Sequence, residues 1–299
     1  MTLQEQILEF IDRYLSLLTL HEILQIKTNK TINIIASVIK ESNKTIPEAV
    51  SVFLTVVRYL RGENHPGSLQ KFIEDNSRLI FKMTTENRAQ CNIPHRALPL
   101  FEVFEEKIKS SPVSVIELGA SYGLIGRCLL NPQKIMEKKN VYFPRGQQMP
   151  RNPRPVDYYL GLELSPPGEE WLLAGEWHPM RRERLKNFLH DIPTNKKFKL
   201  QKGNAFGFSK QKAVKDLDSG YSTVVVLTSF MFYQYEEKKQ QMLREEILEY
   251  TRRTNGHWIN QASNESLLKG FVEFDGEKII ELPDSTFNRW KWLEKSVYT

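Results

Sequence analysis

From Val113 onward, short apolar runs rich in β-branched residues alternate with segments of helical periodicity. That alternation restricts this part of the chain to a sheet covered by helices. The runs fall at 113–118, 157–164, 198–202, 222–228 and 256–261, with helices near 123–130, 168–190 and 236–253. Near-continuous apolar character, as in TVVVL at 223–227, suits strands buried on both faces of a parallel sheet. The last of these helices ends at Asn255-Gly256, residues that accept a left-handed cap. After Gly270 the pattern becomes FVEFDGEKIIEL, two alternating runs joined by Asp275-Gly276, a strong two-residue hairpin signal. The expectation is an α/β domain with a mostly parallel sheet and an antiparallel C-terminal hairpin.

No strand pattern precedes Val113. Thr2 and Glu5 have capping-box spacing ahead of a stripe of Leu3, Ile7, Ile11, Tyr14 and Leu18. Thr45 and Glu48 repeat the signal before Ala49, Val50, Phe53, Val57 and Leu60, and Arg61-Gly62 closes that helix. A further helix starts at Pro94, buries Ala97, Phe101, Phe104 and Ile108, and breaks at Ser110-Ser111-Pro112. Two domains follow: an all-helical one over 1–110 and an α/β one over 111–299. Within the second, Asn131 to Pro155 is rich in proline and basic residues and reads as a long basic loop at 131–155, a length that tends to be functional or flexible.

Composition excludes several classes. The two cysteines, Cys91 and Cys128, are too few for a disulfide framework, and the six histidines show no ligand spacing, so no metal is expected. Apolar runs are too short to cross a bilayer. The N-terminus alternates charged and apolar residues, unlike a secretory signal. A cytoplasmic protein without membrane contact is the resulting expectation. A net charge of +6 favours acidic ligands but falls short of a dedicated nucleic-acid binder.

In an open α/β sheet the ligand sits beyond the carboxyl ends of the strands, and VIELGASYGLIG, Val115 to Gly126, occupies that place after the first strand. Gly119 permits a tight turn against a ligand, and Gly123 begins the helix with little bulk. The spacing E-x-G-x-x-x-G departs from the dinucleotide fingerprint G-x-G-x-x-G because Ser121 and Tyr122 fill the middle. That departure argues against NAD.

ELGASYG resembles the first motif of class I S-adenosylmethionine-dependent methyltransferases, commonly E/D-x-G-x-G-x-G, with Ser121 where the middle glycine is usual. The resemblance implies a Rossmann-like class I methyltransferase sheet and S-adenosylmethionine as cofactor. It makes Glu117, Gly119, Ala120, Ser121 and Gly123 pocket residues. It also implies that Glu163, in GLELSP, binds the ribose hydroxyls, and that Asn204, in KGNAFG, stands where an acid often contacts adenine. Several blocks together, TTENRAQCNIPHRALPL at 84–100, VIELGASYGLIG, GLELSP with WLLAGEWHPMRRERL at 161–185, and KGNAFG, resemble a bacterial family described only as a domain of unknown function. Its members join a helical N-terminal region to a methyltransferase-like core. Their first block reads Gln-Thr-Asn-Glu followed by Arg, mapping onto Gln90, Cys91, Asn92, Ile93 and Arg96. That correspondence makes Gln90, Asn92 and Arg96 candidate ligand contacts, with helix capping the plainer alternative.

After the fourth strand comes TSFMFYQY, Thr228 to Tyr235, where methyltransferases of this class face the methyl acceptor. Ser229, Tyr233 and Gln234 are candidates to hydrogen-bond a substrate, with Phe230 and Phe232 as an apolar wall. His178 offers an imidazole that titrates near neutrality, although core and helix-surface roles are the plainer reading for Trp171, Trp177 and their neighbours. Lys134, Lys138, Lys139, Arg145, Arg151 and Arg154, with Tyr142 and Phe143, form either an RNA-contacting loop or a solvated basic one. The expected activity is methyl transfer to an unidentified acceptor, a small molecule before RNA, with the helical domain closing over the cofactor pocket. The alternative is a non-catalytic ligand-binding or protein-interaction module, for which Ser121, Ile93 and Asn204 speak.

Overall fold

The computed structural model describes residues 1–14, 27–42, 44–62, 67–88, 94–142, 153–176, 179–218, 222–263, 270–282 and 291–292. They divide into two compact units, one of residues 1–92 with 167–183 and one of 93–166 with 184–299. The division falls at 92 rather than at 110, and the first unit takes in a second stretch of chain.

The first unit is helical, with helices at Leu3–Tyr14, Asn29–Ser42, Ile46–Arg61, Leu69–Asp75, Ser77–Glu86 and Glu169–Ala174. The Thr2 amide donates to the Glu5 carboxylate at 2.6 Å and the Glu5 amide to the Thr2 hydroxyl at 3.2 Å, which is the reciprocal box its spacing predicts. Thr45 caps Ile46–Arg61 by accepting from the Glu48 amide, and Gly62, at φ 67°, ends it. The buried Glu48 carboxylate takes the Arg88 guanidinium at 3.0 Å. Next to it, the buried Lys44 ammonium donates to the Thr85 carbonyl at 2.6 Å. Burial lowers the Lys44 pKa against the opposing pull of Glu48. Ile7, Ile11, Ile35, Val38, Val50, Phe53 and Val57 form the core, and Trp171 packs on it, its ring 5.3 Å from that of Tyr59.

The second unit carries one sheet, built from β1 (Val113–Leu118), β2 (Tyr158–Glu163), β3 (Phe198–Lys202), β4 (Thr223–Ser229), β5 (His257–Ser263), β6 (Gly270–Phe274), β7 (Glu277–Leu282) and β8 (Lys291–Trp292). Its order is β3-β2-β1-β4-β5-β6-β7-β8. The first five pair in parallel and the last three join antiparallel. All five parallel strands lie within two residues of their expected bounds. Every β1 residue is buried, Ser114 and Glu117 included. The hairpin turns at Asp275 (φ 51°) and Gly276 (φ 91°), the pair of left-handed residues that a type I′ turn demands. Asp275 also accepts from the Trp258 amide at 2.7 Å, tying the turn to β5.

One face of the sheet carries Ile116, Leu160, Val226 and Trp258 under Leu243, Ile247 and Tyr250 of the helix Glu237–Thr254. That helix ends at Asn255 in the left-handed conformation, as its sequence suggests. A buried polar relay crosses the sheet on this side. Trp258 donates to the Thr228 hydroxyl, Thr228 to the Asn260 carboxamide oxygen at 2.8 Å, and the Asn260 carboxamide nitrogen to the Glu273 carboxylate at 2.5 Å. Arg244 approaches Glu273 at 3.5 Å. Each buried polar group is thereby partnered, which burial requires.

Two expected elements differ. The helix expected at 168–190 is divided into Glu169–Ala174 and Pro179–Asp191, with Gly175 at the break. The segment read as a long loop at 131–155 contains two short helices, Pro132–Glu137 and Lys139–Tyr142. Pro132 suits a first helical turn, Ile135 and Tyr142 are buried, and the Tyr142 ring packs edge-on against Phe188. Lys134 donates to the Asp191 carbonyl, while Lys138 and Tyr142 reach the Asp191 carboxylate at 2.8 and 3.2 Å. Lys138 and His190 hold that carboxyl well below its ordinary pKa. Residues 143–152, with Phe143, Arg145 and Arg151, lie outside the described residues.

The helix Leu124–Leu130 lies close to β2 because Gly126 has no side chain. A Cβ there would stand 2.3 Å from the Tyr159 ring, and one at Gly123 would stand 2.5 Å from Phe198. The two rings stack at 5.1 Å and 17°, so neither swings aside freely. Gly126→Ala is expected to destabilise the protein by about 1–3 kcal/mol despite the roughly 1 kcal/mol advantage of alanine in a helix. Denaturant unfolding checks this; an unchanged or raised midpoint would contradict the packing.

Candidate functional site

The sheet order reverses between β1, which leads to β2 and β3 on one side, and β4, which leads to β5 on the other. In such sheets ligands sit outside the carboxyl ends of the strands at the reversal. The residues from Gly119 to Gly123 leave β1 at that point.

Three left-handed positions shape this loop: Gly119 (φ 69°), Ser121 (φ 53°) and Gly123 (φ 70°). The amides of Gly119 and Ala120 both donate to the Leu162 carbonyl, at 2.9 and 3.2 Å, and Gly123 closes back on the Ala120 carbonyl at 2.8 Å. A Cβ on Gly119 would meet the Met231 side chain only at ordinary contact, 3.4 Å. Its backbone angle, not space, requires glycine there. At Ser121 a left-handed residue with a Cβ costs roughly 1–2 kcal/mol. What holds it is visible: the Ser121 amide donates to the Glu163 carboxylate at 2.9 Å. Ala120 and Ser121 are both buried.

Two acids converge on the loop. Glu163 ends β2 half-buried; desolvation raises its pKa, and the amides of Ser121, Leu164 and Ser165 pull it back. Glu117, on β1, is buried and accepts the Tyr159 hydroxyl at 2.5 Å. Desolvation pushes the Glu117 carboxyl up to about 8; Tyr159 and Arg96 oppose the rise, and Glu163 adds to it. At neutral pH Glu117 is therefore mostly the neutral acid.

On the β4 side, Phe230 holds φ 52°, an outlier for an aromatic residue, with its amide donating to the Gln261 carbonyl at 2.7 Å. The Arg96 guanidinium lies over the Phe230 ring at 4.2 Å. Ser229 donates to the Gln261 carboxamide oxygen at 2.7 Å, and the Gln261 amide donates to the Arg96 carbonyl at 2.7 Å. Strained backbone at Ser121 and Phe230 thus flanks the reversal point from both strands, a pattern that concentrates at functional sites.

The structure brings together Glu117, Gly119, Ala120, Ser121, Gly123 and Glu163. Arg96 joins them through its charge on Glu117, and Ser229 lies at the end of β4, its hydroxyl proton given to Gln261. Asn204 is exposed after β3; its carboxamide oxygen accepts from the Phe206 amide at 3.0 Å, and its carbonyl from Gln211. Gln234 belongs to the short turn Phe232–Gln234 and is half-buried. Gln90, Cys91, Asn92, Ile93, Trp177, His178 and the Tyr233 side chain lie outside the described residues. Tyr159, Met231 and Gln261 are the additions. Gln261 carried a signal, since WINQAS sets two carboxamides inside an apolar strand. Tyr159 carried none, because strand tyrosines are common.

Among the described residues no cluster of three or more histidines, cysteines or acids is placed to hold a metal ion, and no helix is long and apolar enough to cross a membrane. Compared with known protein families and with curated proteins, the chain matches none.

Two outcomes follow from this geometry. Ser121→Gly relieves the left-handed strain and is expected to leave stability unchanged or raise it by up to about 1 kcal/mol, whereas Ser121→Val lowers it by about 1–3 kcal/mol. Thermal unfolding of the pair decides, and the reverse order would contradict the loop conformation. For Glu117, folding raises the pKa from 4.5 to about 8, so the stability of the protonated acid is complete below 4.5 and lost as pH rises through about 8. Glu117→Gln keeps the neutral shape. Its stability relative to the natural protein is expected to grow between pH 5 and pH 9 in urea unfolding; a difference independent of pH would contradict a buried neutral acid.

Proposed function

We propose that the loop and acids at the carboxyl ends of β1 and β2 form the cofactor site of a class I S-adenosylmethionine-dependent methyltransferase-like protein, which transfers a methyl group to a small-molecule acceptor. The observation that carries the reading is the Ser121–Glu163 hydrogen bond. It makes the second-strand acid and the glycine loop one constellation, as the resemblance to the first methyltransferase motif implies. The Rossmann-like reading of the sheet draws support from the order β3-β2-β1-β4-β5 with its single reversal.

The residues present fit such a cofactor. A carboxylate accepts at about four lone-pair positions, so Glu163 retains capacity for a ribose hydroxyl beyond the three amides that face it. The nearest atoms over Gly119 belong to the Met231 side chain, and thioether side chains adapt readily to new contacts. When bound, the cofactor supplies an electrophilic methyl group on a sulfonium. The chain's own part is alignment, which can supply about 7–11 kcal/mol of barrier reduction when the reacting atoms are well oriented. Glu163 and the loop hold the nucleoside, Arg96 and Phe230 flank the opposite side, and the buried Glu117 carboxyl lies at the base of the loop on β1.

A small-molecule acceptor is favoured over RNA because Lys134 and Lys138 of the basic segment are engaged with Asp191. A second reading, ligand binding without transfer, draws on Asn204, whose carboxamide oxygen serves a turn, and on Ser229, whose proton serves Gln261.

Titration calorimetry with S-adenosylmethionine and S-adenosylhomocysteine tests the site. Binding is expected for both, weakened roughly tenfold or more by Glu163→Ala, the scale of losing a charged hydrogen bond of about 1.5–3 kcal/mol. It is expected to be abolished by Gly119→Asp. No heat and no thermal shift at millimolar ligand would reject the reading. Binding without methyl transfer across an acceptor panel would favour the second reading.

A further inference from the structure

The contact between Glu117 and Tyr159 has a construction that backbone geometry alone does not call for. Tyr159 is fully buried, its ring fitted against Gly126 and stacked on Phe198, so its hydroxyl has a fixed position 2.5 Å from the Glu117 carboxyl. Glu117 lies on β1 two residues before Gly119 and is itself buried. The charged and titratable groups around it are Tyr159 and Glu163 from β2 and Arg96 from the turn Pro94–Ala97. The helix Leu124–Leu130 turns the Arg127 guanidinium toward the rings of Tyr122 and Phe198. Glu163 raises and Arg96 lowers the Glu117 pKa through their charges.

We infer that Glu117, with Tyr159 as its positioning residue, is a proton site coupled to ligand binding: a cationic ligand group, sulfonium or ammonium, enters beside the glycine loop and the Glu117 proton leaves to solvent. The inference rests on the cofactor reading above. Its chemistry is a single proton balance, in which the Glu117 carboxylic acid becomes a carboxylate and the buffer takes the proton. Tyr159 serves both states, because a phenol O–H donates to a carbonyl oxygen of the neutral acid and more strongly to the carboxylate. An added positive charge nearby favours the ionised form. Burial pushes the Glu117 carboxyl up to about 8, so the ligand-free protein carries a proton to release at pH 7.

Calorimetric titration of the full chain with S-adenosylmethionine at pH 7, repeated in phosphate and in Tris, counts the protons because the two buffers differ in ionisation enthalpy. The result expected is release of close to one proton per ligand, falling toward zero at pH 9.5 and absent in Glu117→Gln. Tyr159→Phe, which removes a group that favours the carboxylate, is expected to move the affinity-versus-pH midpoint upward. Release with S-adenosylmethionine alone assigns the partner charge to the sulfonium; equal release with S-adenosylhomocysteine assigns it to the ammonium. Binding without buffer-dependent heat, or the same release from Glu117→Gln, would overturn the proton site and leave the cofactor reading standing. No binding by either ligand would reject that reading itself. The count on the natural protein needs no variant, so poor folding of Tyr159→Phe leaves the test intact.

Discussion

The backbone amide of Ser121 reaches the Glu163 carboxylate at 2.9 Å, and the site depends on that bond. It holds a non-glycine residue at φ 53° between two glycines that are also left-handed. The strain is small beside the total stability of a domain, yet comparable to the worth of one good hydrogen bond to a charged group. Its effect is positional. The loop stays folded against the Leu162 carbonyl, the acid of β2 stays turned toward the loop, and β1 and β2 present one surface at their carboxyl ends.

Beneath the loop the same packing acts on Glu117. Gly123 and Gly126 let Tyr159 and Phe198 lie flat against the helix Leu124–Leu130, and the Tyr159 hydroxyl then meets the acid. Burial dominates the balance on that carboxyl, and one tyrosine and one arginine offset it only partly. Glu163, with three backbone amides facing it, is more nearly compensated. Two acids of similar intrinsic strength are thereby set apart by environment, a division that assigns different roles to paired carboxyls in many sites.

Much of this was legible in the chain itself, and for identifiable reasons. β1, β2 and β4 announce themselves because both of their faces are buried, and the hairpin because Asp275-Gly276 admits few other conformations. Thr2 with Glu5 marked a helix start through local spacing. The pair of helices in Asn131–Tyr142 leaves no periodic signal because Ile135 and Tyr142 are its main apolar anchors, too sparse for a stripe, and because its lysines find Asp191, far along the chain. The break at Gly175 was likewise invisible beneath a continuous helical pattern. Of the site, the glycine loop is legible in its spacing, and Glu163 only through the resemblance to the methyltransferase motifs. The Tyr159–Glu117 contact, the Ser229–Gln261–Arg96 chain and the strained Phe230 arise from residues brought together across strands, and periodicity carries no record of such pairings.

The central claim is that one constellation, Gly119 to Gly123 with Glu163, receives an adenosyl ligand at the carboxyl ends of β1 and β2. A crystal structure of the protein soaked with S-adenosylhomocysteine tests it most directly. The predicted result is ribose density within hydrogen-bonding distance of Glu163, with the ligand passing over Gly119. An ordered ligand elsewhere on the protein, with the Ser121–Glu163 bond undisturbed and the loop bare, would contradict it.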